Sequence, residues 1–154
     1  NQLQAKNKLL NTDELIKSLT QLRLEKLYYS SYRDFPDNLV KLVDTPDVAM
    51  KICAAYQQNP PDALQRFNFM VILSMRAKNG VLTPTELTIV PDCLRAALND
   101  PDAWVRIEAL DTFKRFAEEQ DRPKLLEMKN DPIEDVRNYS QNALLRLNST
   151  KETH

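Results

Sequence analysis

The sequence predicts an all-α fold, and three features of its composition and pattern support that prediction. The 154 residues are 42% hydrophobic and 28% charged, which is enough apolar material for a folded core. The chain has one glycine, where average composition would supply about 11, so tight hairpin turns and glycine-rich nucleotide loops are disfavoured. Most of the nine prolines stand where helical periodicity begins, a position at which proline is tolerated.

In chain order, the first predicted helix runs from Asp13 to Ser30 with Thr12 as its N-terminal cap, because a threonine hydroxyl accepts a hydrogen bond from the first turn. A short helix follows Pro36 and ends near Val43. The links are short, which places successive helices antiparallel. The remaining predicted helices span residues 46–58, 61–78, 84–98, 101–119, 122–129 and 132–147, which makes seven or eight helices in all.

Two of these helices differ in how their apolar residues are distributed. The helix from Pro61 is apolar almost all round, so we expect it to be packed on several sides. We expect the long N-terminal helix to cover residues Phe67, Val71 and Met75 of the helix from Pro61; if it does not, they form an exposed apolar patch that marks an interface or a dimer. The last helix is apolar along one stripe only, which suits the end of a fold.

Cysteine and histidine usage predicts neither a metal site nor a disulfide framework. The chain has no C-x-x-C pair, and its only histidine is the last residue, His154. We therefore expect Cys53 and Cys93 to be buried thiols, and no cofactor to be bound.

Charge is balanced, with 21 basic and 22 acidic residues mixed along the chain. Such a surface lacks the positive field that binding to nucleic acid or to an anionic membrane requires. The longest apolar run, residues 69–73, is too short for membrane insertion, so we expect a soluble protein. The first residue is Asn1 rather than Met, which allows a processed exported or periplasmic protein and otherwise a cytoplasmic one.

A sequence pattern recurs three times at predicted helix starts. It occupies residues 59–66, 99–106 and 130–137, and the aligned prolines are 40 and 31 residues apart. Intervals of this size are typical of solenoids. Each copy follows a shorter helix, so the repeating unit is a helical hairpin, and stacked hairpins bury a continuous core.

On these residues the sequence resembles the HEAT-repeat family, whose pattern is an Asp-Pro turn followed by Val-Arg and then Ala-Leu. The second copy matches throughout, the third has its Ala-Leu pair later, and the first has Pro60 for Asp and Gln65 for Val. The resemblance implies a short right-handed α-solenoid of stacked antiparallel helix pairs. It further implies a single domain over residues 1–154, with a cap or degenerate repeat at 1–45, repeats at 46–78, 84–119 and 122–147, and a flexible tail at 148–154.

The resemblance also implies a structural ladder between repeats. The aspartate before the proline caps a helix, and the arginine one turn into that helix reaches the aspartate of a neighbouring repeat. The ladder residues are Asp100, Arg106, Asp131 and Arg137. A phosphate-binding role for the arginines is the alternative, which the acidic neighbours disfavour.

We expect a non-catalytic module that binds another protein or a peptide through the concave face of the solenoid, as a monomer or weak dimer. Without an internal histidine the chain has no Ser–His or Cys–His nucleophile system. HEAT-like proteins include DNA glycosylases and bilin-lyase-like proteins, so an enzyme or enzyme accessory of DNA repair or cofactor attachment is the alternative. A third possibility is a structural fragment of a longer array, with exposed apolar ends at Leu3, Leu9 and Leu10.

The predicted partner-binding strip lies on the second helices of the last two repeats. On the helix from Pro101, we expect a core stripe of Val105, Ala109, Phe113 and Phe116, which leaves the opposite flank to solvent. An offset of 31 residues transfers that flank to the last helix. The strip comprises Trp104, Glu108, Asp111, Arg115, Tyr139, Asn142 and Arg146, with both aromatic residues as anchors. Alternatively, Trp104 packs against the next repeat and Tyr139 shields the last one.

Overall fold

The computed structural model describes residues 11–20, 23–24 and 32–152, and within them all regular secondary structure is helical. The all-α prediction is therefore confirmed. No helix in these ranges is long and apolar enough to cross a membrane. The α-helices of the described residues are α1 Thr12–Ser18, α2 Asp37–Asp44, α3 Val48–Gln57, α4 Ala63–Lys78, α5 Pro84–Leu87, α6 Val90–Ala97, α7 Ala103–Phe113, α8 Arg122–Met128 and α9 Glu134–Glu152.

The chain divides into two compact units, residues 1–90 and 91–154. In the first unit α4 packs against α2 and α3, and α1 packs against α2. In the second unit α9 packs against both α7 and α8. The single domain over residues 1–154, and the solenoid through it, stay predictions.

The first helix is shorter than predicted and has a different cap. Helix α1 ends at Ser18, whereas the prediction extended it to Ser30; residues 25–31 lie outside the described ranges. The cap is Asn11 rather than Thr12, because Asn11 accepts from the backbone N–H of Glu14 at 2.9 Å and donates its own N–H to the Glu14 carboxylate at 3.3 Å. Of the two candidates, Asn11 has a glutamate three residues later, as a reciprocal capping box requires, whereas Thr12 has Leu15 at that position.

The predicted helix over residues 84–98 is two helices, α5 and α6, because Pro91 cannot continue a helix that begins at Pro84. In a continuous helix the Pro91 ring would clash with the carbonyl group of Leu87, and proline has no N–H to donate to that carbonyl. Helix α7 starts at Ala103 and ends at Phe113, so the prediction of a helix over residues 101–119 was too long at both ends.

The C-terminal parts of the predicted elements also differ. Phe116, which was expected in the core stripe, follows α7 and is half-buried. Helix α9 continues to Glu152, so residues 148–152, expected as a flexible tail, are helical in the structure. The last two residues, 153–154, and the leucines at positions 3, 9 and 10 lie outside the described ranges.

Helix α4 is the centre of the first unit, as its apolar pattern predicts. Every residue from Arg66 to Arg76 is buried, including Phe67, Val71 and Met75. Part of the cover comes from the segment after α1, since the Arg23 guanidinium lies 4.5 Å from the centre of the Phe67 ring. Both cysteines are buried and free of disulfides.

A buried ion pair joins four segments of the first unit. The side chains of Arg76 in α4 and Glu86 in α5 are 1% and 0% exposed, and Arg76 Nε lies 2.8 Å from the Glu86 carboxylate. Arg76 also donates to the carbonyl oxygens of Val43 and Val81, the latter at 2.9 Å. Glu86 accepts from the backbone N–H of Ala49 at 2.8 Å. The pair therefore connects α2, α3, α4 and α5.

The pKa of the Glu86 carboxyl is lowered from its usual 4.5. Burial by itself would raise this pKa, but hydrogen bonds from Arg76 and from the N–H groups of Thr83 and Ala49 stabilise the carboxylate more strongly. Because the unfolded chain takes up the proton first as the pH falls, stability from this group is present above the ordinary pKa and is lost below it.

We expect Glu86→Gln to lower the free energy of unfolding by about 3 kcal/mol at neutral pH, because the amide group leaves Arg76 as a buried charge without its counterion. The deficit should narrow as the pH falls from about 5 to about 3, where the wild-type carboxylate loses its own contribution. Urea unfolding across that range measures both effects. The matched control is Glu127→Gln, since Glu127 is 73% exposed; a deficit independent of pH would contradict the assignment.

Gly80 is the only glycine and closes the C-terminus of α4 in a left-handed conformation, with φ of +66°. The N–H of Val81 donates to Arg76 O at 3.1 Å and that of Gly80 to Ala77 O at 3.2 Å, which is the Schellman arrangement. A Cβ at this position would meet no atom within 4 Å. A residue with a side chain at position 80 is therefore disfavoured by the positive φ of the backbone and not by a steric clash.

We expect Gly80→Ala to lower the free energy of unfolding by about 1 kcal/mol, and Gly80→Asn to lower it less, because asparagine tolerates the left-handed region. Chemical denaturation of the two variants beside the wild type measures the difference. Equal losses for alanine and asparagine would show that φ is not the constraint.

Candidate partner-binding surface

The repeated sequence pattern has a repeated structure at its turns. In each copy an arginine in the second helix donates its Nη1–H to the backbone carbonyl oxygen six residues earlier. The bond is local, so it lies within one unit in every case. The distances are 2.9 Å for Arg66 to Pro60, 2.8 Å for Arg106 to Asp100 and 2.7 Å for Arg137 to Asp131.

Aspartate side chains shape the two later turns. Asp100 accepts from the N–H of Asp102 at 2.9 Å, and Asp131 accepts from the N–H of Ile133 at the same distance. Such bonds to the backbone two residues on turn the chain into the following helix. Asp102, rather than Asp100, is the N-cap of α7, because its carboxylate accepts from the N–H of Trp104 at 2.9 Å.

Arg106 and Asp131 join the turns of the last two predicted repeats. Arg106 Nε lies 3.1 Å from Asp131 Oδ2 and Nη2 lies 3.2 Å from Oδ1, a two-pronged contact with side chains only 14% and 12% exposed. Arg106 is near the start of α7 and Asp131 precedes α9. The N-terminal ends of these packed helices are therefore adjacent, and the two helices run parallel.

A second arginine–aspartate contact, which the sequence did not predict, joins α6 to the turn immediately before α8. Arg95 Nε lies 2.9 Å from Asp121 Oδ1, and Nη2 lies 3.1 Å from Oδ2. The Asp121 carboxylate, and with it Asp92, raises the pKa of Arg95 above its usual value, so the guanidinium stays charged. The signal in the sequence is the spacing: Asp121 follows Arg95 by 26 residues, and Asp131 follows Arg106 by 25.

The predicted strip divides into exposed and half-buried residues. Trp104 is 46% exposed, and Glu108, one turn later on α7, is half-buried. Asp111 is half-buried and pairs with Lys114 at 3.1 Å. Arg115 is exposed but follows the end of α7 at Phe113. On α9, Tyr139 is half-buried, whereas Asn142 and Arg146 are exposed.

Within each of the two helices, the strip residues recur at helical spacing. Trp104, Glu108 and Asp111 are four and three residues apart, and so follow one flank of α7. Asn142 and Arg146 follow one flank of α9 in the same way. Together these residues supply an aromatic side chain and both signs of charge, a combination that suits non-covalent recognition. Among the described residues no three His, Cys, Asp or Glu side chains are grouped to hold a metal.

A cleft of about 490 Å³ lies between the two turns of the second unit. Its walls include Asn99, Lys124 and the Arg106–Asp131 contact. These polar side chains already bind one another, since Lys124 donates to the Asn99 side chain. We therefore regard the cleft as the seam between successive helix pairs rather than as a ligand site.

No protein-family model matches the chain, and neither a curated protein nor a solved structure matches it. The HEAT-repeat resemblance rests on the motif residues themselves. The ladder arginines and the strip must therefore be tested by substitution within this chain.

Arg106→Lys and Arg137→Lys form a matched pair that isolates the Asp131 contact. Both arginines donate to a carbonyl oxygen six residues earlier, but within the part of the chain that the structure describes only Arg106 of this pair also binds a carboxylate through two nitrogens. Lysine cannot reproduce that fork. We expect Arg106→Lys to lower the free energy of unfolding by about 2 kcal/mol and Arg137→Lys by about 0.5 kcal/mol. Equal losses in urea unfolding would show that the Asp131 contact contributes nothing.

Proposed function

We propose that this protein is a non-catalytic module that binds another protein or a peptide through the flank of α7 and α9 that carries Trp104. The observation that supports this proposal is the exposure of Trp104, nearly half of whose surface is open to solvent on a capped helix. Large aromatic residues on rigid elements are the typical anchors of protein interfaces.

The energy available from Trp104 is large enough to matter. A tryptophan buries about 150 to 250 Å² when it is enclosed, so its exposed half offers about 100 Å². At about 25 cal/mol per Å², covering it contributes about 2.5 kcal/mol. The helix that carries Trp104 is held at its start by the Asp102 cap and by Arg106, which limits the ordering cost of binding.

The charges around the anchor favour a protein or peptide over a polyanion. Arg115 and Arg146 are exposed, but Glu108 and Asp111 share the same flank. Phosphate binding requires a field of one sign, whereas mixed charge at the rim of an aromatic patch gives register to a protein partner.

The proposal includes a HEAT-like architecture, in which helix pairs stack as a right-handed α-solenoid. Two observations support it: the arginine-to-carbonyl bond occurs in all three copies of the motif, and two arginine–aspartate contacts tie α6 to α8 and α7 to α9.

Because Trp104 is the only tryptophan, its fluorescence reports on the proposed surface alone. A photo-crosslinking amino acid placed at position 142, which is exposed and leaves Trp104 intact, captures candidate partners from the native extract, and each candidate is then titrated against the unmodified chain. We expect the emission of Trp104 to move to shorter wavelength on binding. Trp104→Ala should raise the Kd about 30-fold, which corresponds to about 2 kcal/mol.

Leu87 provides the matched control, because it is 48% exposed and belongs to the first unit. Leu87→Ala should leave the Kd unchanged. If a partner binds Trp104→Ala as tightly as the wild type, and the Trp104 emission of the wild type does not change on binding, the binding surface lies elsewhere.

A further inference from the structure

Arg106 and Arg137 hold equivalent positions in the repeated motif but have different partners. Each donates Nη1–H to the carbonyl oxygen six residues earlier. The opposite edge of Arg106, formed by Nε and Nη2, holds the Asp131 carboxylate. Among the described residues no carboxylate lies against that edge of Arg137, which is half-buried. Glu134, one turn earlier on the same helix, is exposed and does not occupy it.

A second pair of equivalent positions, Arg95 and Leu126, shows the same difference between the two helix pairs. The 31-residue offset that relates Arg106 to Arg137 relates Arg95 to Leu126. Arg95 binds Asp121 at the start of the following helix pair, whereas Leu126 is 49% exposed. Among the described residues, the positions on α8 and α9 that correspond to Arg95 and Arg106 therefore have no carboxylate partner from a further helix pair.

Between Arg137 and Leu145, the same flank of α9 carries a polar residue, Gln141, which restricts what can bind there. Leu110 of α7 is fully buried, and the residue that corresponds to it on α9 is Gln141. A polar residue at this position disfavours the packing of a further helix pair, whose contacting face would be apolar. Leu145, 55% exposed, adds one apolar contact beyond Gln141. We call Leu126, Arg137, Gln141 and Leu145 the terminal face.

We propose that the terminal face binds a partner protein through an aspartate in a turn that starts a helix, with the carboxylate on the Nε–Nη2 edge of Arg137. The chain itself supplies the geometry, because Asp131 binds Arg106 in this way while it accepts the N–H of Ile133 in its own turn. A guanidinium fork matches a planar carboxylate better than any other common protein group. Arg137 and Gln141 occupy a different flank of α9 from Asn142 and Arg146. The site is therefore independent of the Trp104 surface.

The probe is the peptide acetyl-Asn-Asp-Pro-Ile-Gln-amide, and its control is acetyl-Asn-Asn-Pro-Ile-Gln-amide, which lacks the carboxylate. The readout is the arginine Nε–H spectrum of the full chain labelled with nitrogen-15. We expect the aspartate peptide to shift the Arg137 signal saturably with a millimolar Kd, and the asparagine peptide to leave it in place. Monitored through the backbone amides of α9, Arg137→Lys should raise the Kd at least about threefold, because lysine lacks the fork.

Arg33→Lys is the control for non-specific charge, since Arg33 is 63% exposed and lies in the first unit. This variant should bind the peptide like the wild type. Equal responses to the two peptides, or equal shifts at every exposed arginine, would overturn the proposal. A signal of Arg137 that depends on protein concentration without peptide would also overturn it, because a second copy of the chain would then be the occupant.

Discussion

Arginine side chains bind backbone carbonyl oxygens at the turns of both units, and the packing of the helices depends on these bonds. The last carbonyl groups of a helix have no partner within it, and many proteins close such ends with glycine. This chain has one glycine, Gly80. Elsewhere side chains take over: Arg76 binds Val43 in the last turn of α2, and Thr45 donates to Lys41 in the same turn.

Three arginines at the junctions between helices are partly or fully buried, and each is paired with a carboxylate. Arg76 has Glu86, Arg95 has Asp121, and Arg106 has Asp131. The desolvation of two charges offsets much of their attraction, so such pairs add little net stability compared with apolar packing. Their effect is on specificity. Removing one partner is costly, and each carboxylate also holds a backbone N–H, so both the pairing of helices and the path of the turn depend on it.

The local features of the fold were predictable from the sequence, whereas the contacts between helices were not. Proline positions and apolar periodicity identified the helices, and the repeated motif identified turns that have the same hydrogen bond in each copy. The break between α5 and α6 was also readable, since Pro91 cannot continue a helix from Pro84. The Arg76–Glu86 pair was not, because ten residues and a turn separate its members. Thr83 and Glu86 form a readable capping box, but nothing in that pattern shows that Arg76 and Val43 converge on it.

The same limit applies to the candidate surface. The 31-residue offset predicted which residues share a flank of α7 and α9, but it could not predict that Trp104 is exposed while Tyr139 is half-buried. Trp104 and Tyr139 hold different positions in the repeat, since the offset relates Tyr139 to Glu108, which is also half-buried. The neighbours of the two helices differ as well: α7 has α9 along one side, α9 has no further helix on the corresponding side among the described residues, and Arg106 accordingly binds a carboxylate that Arg137 lacks there. The carboxylate site proposed for Arg137 therefore reuses a geometry that the chain itself builds between Arg106 and Asp131.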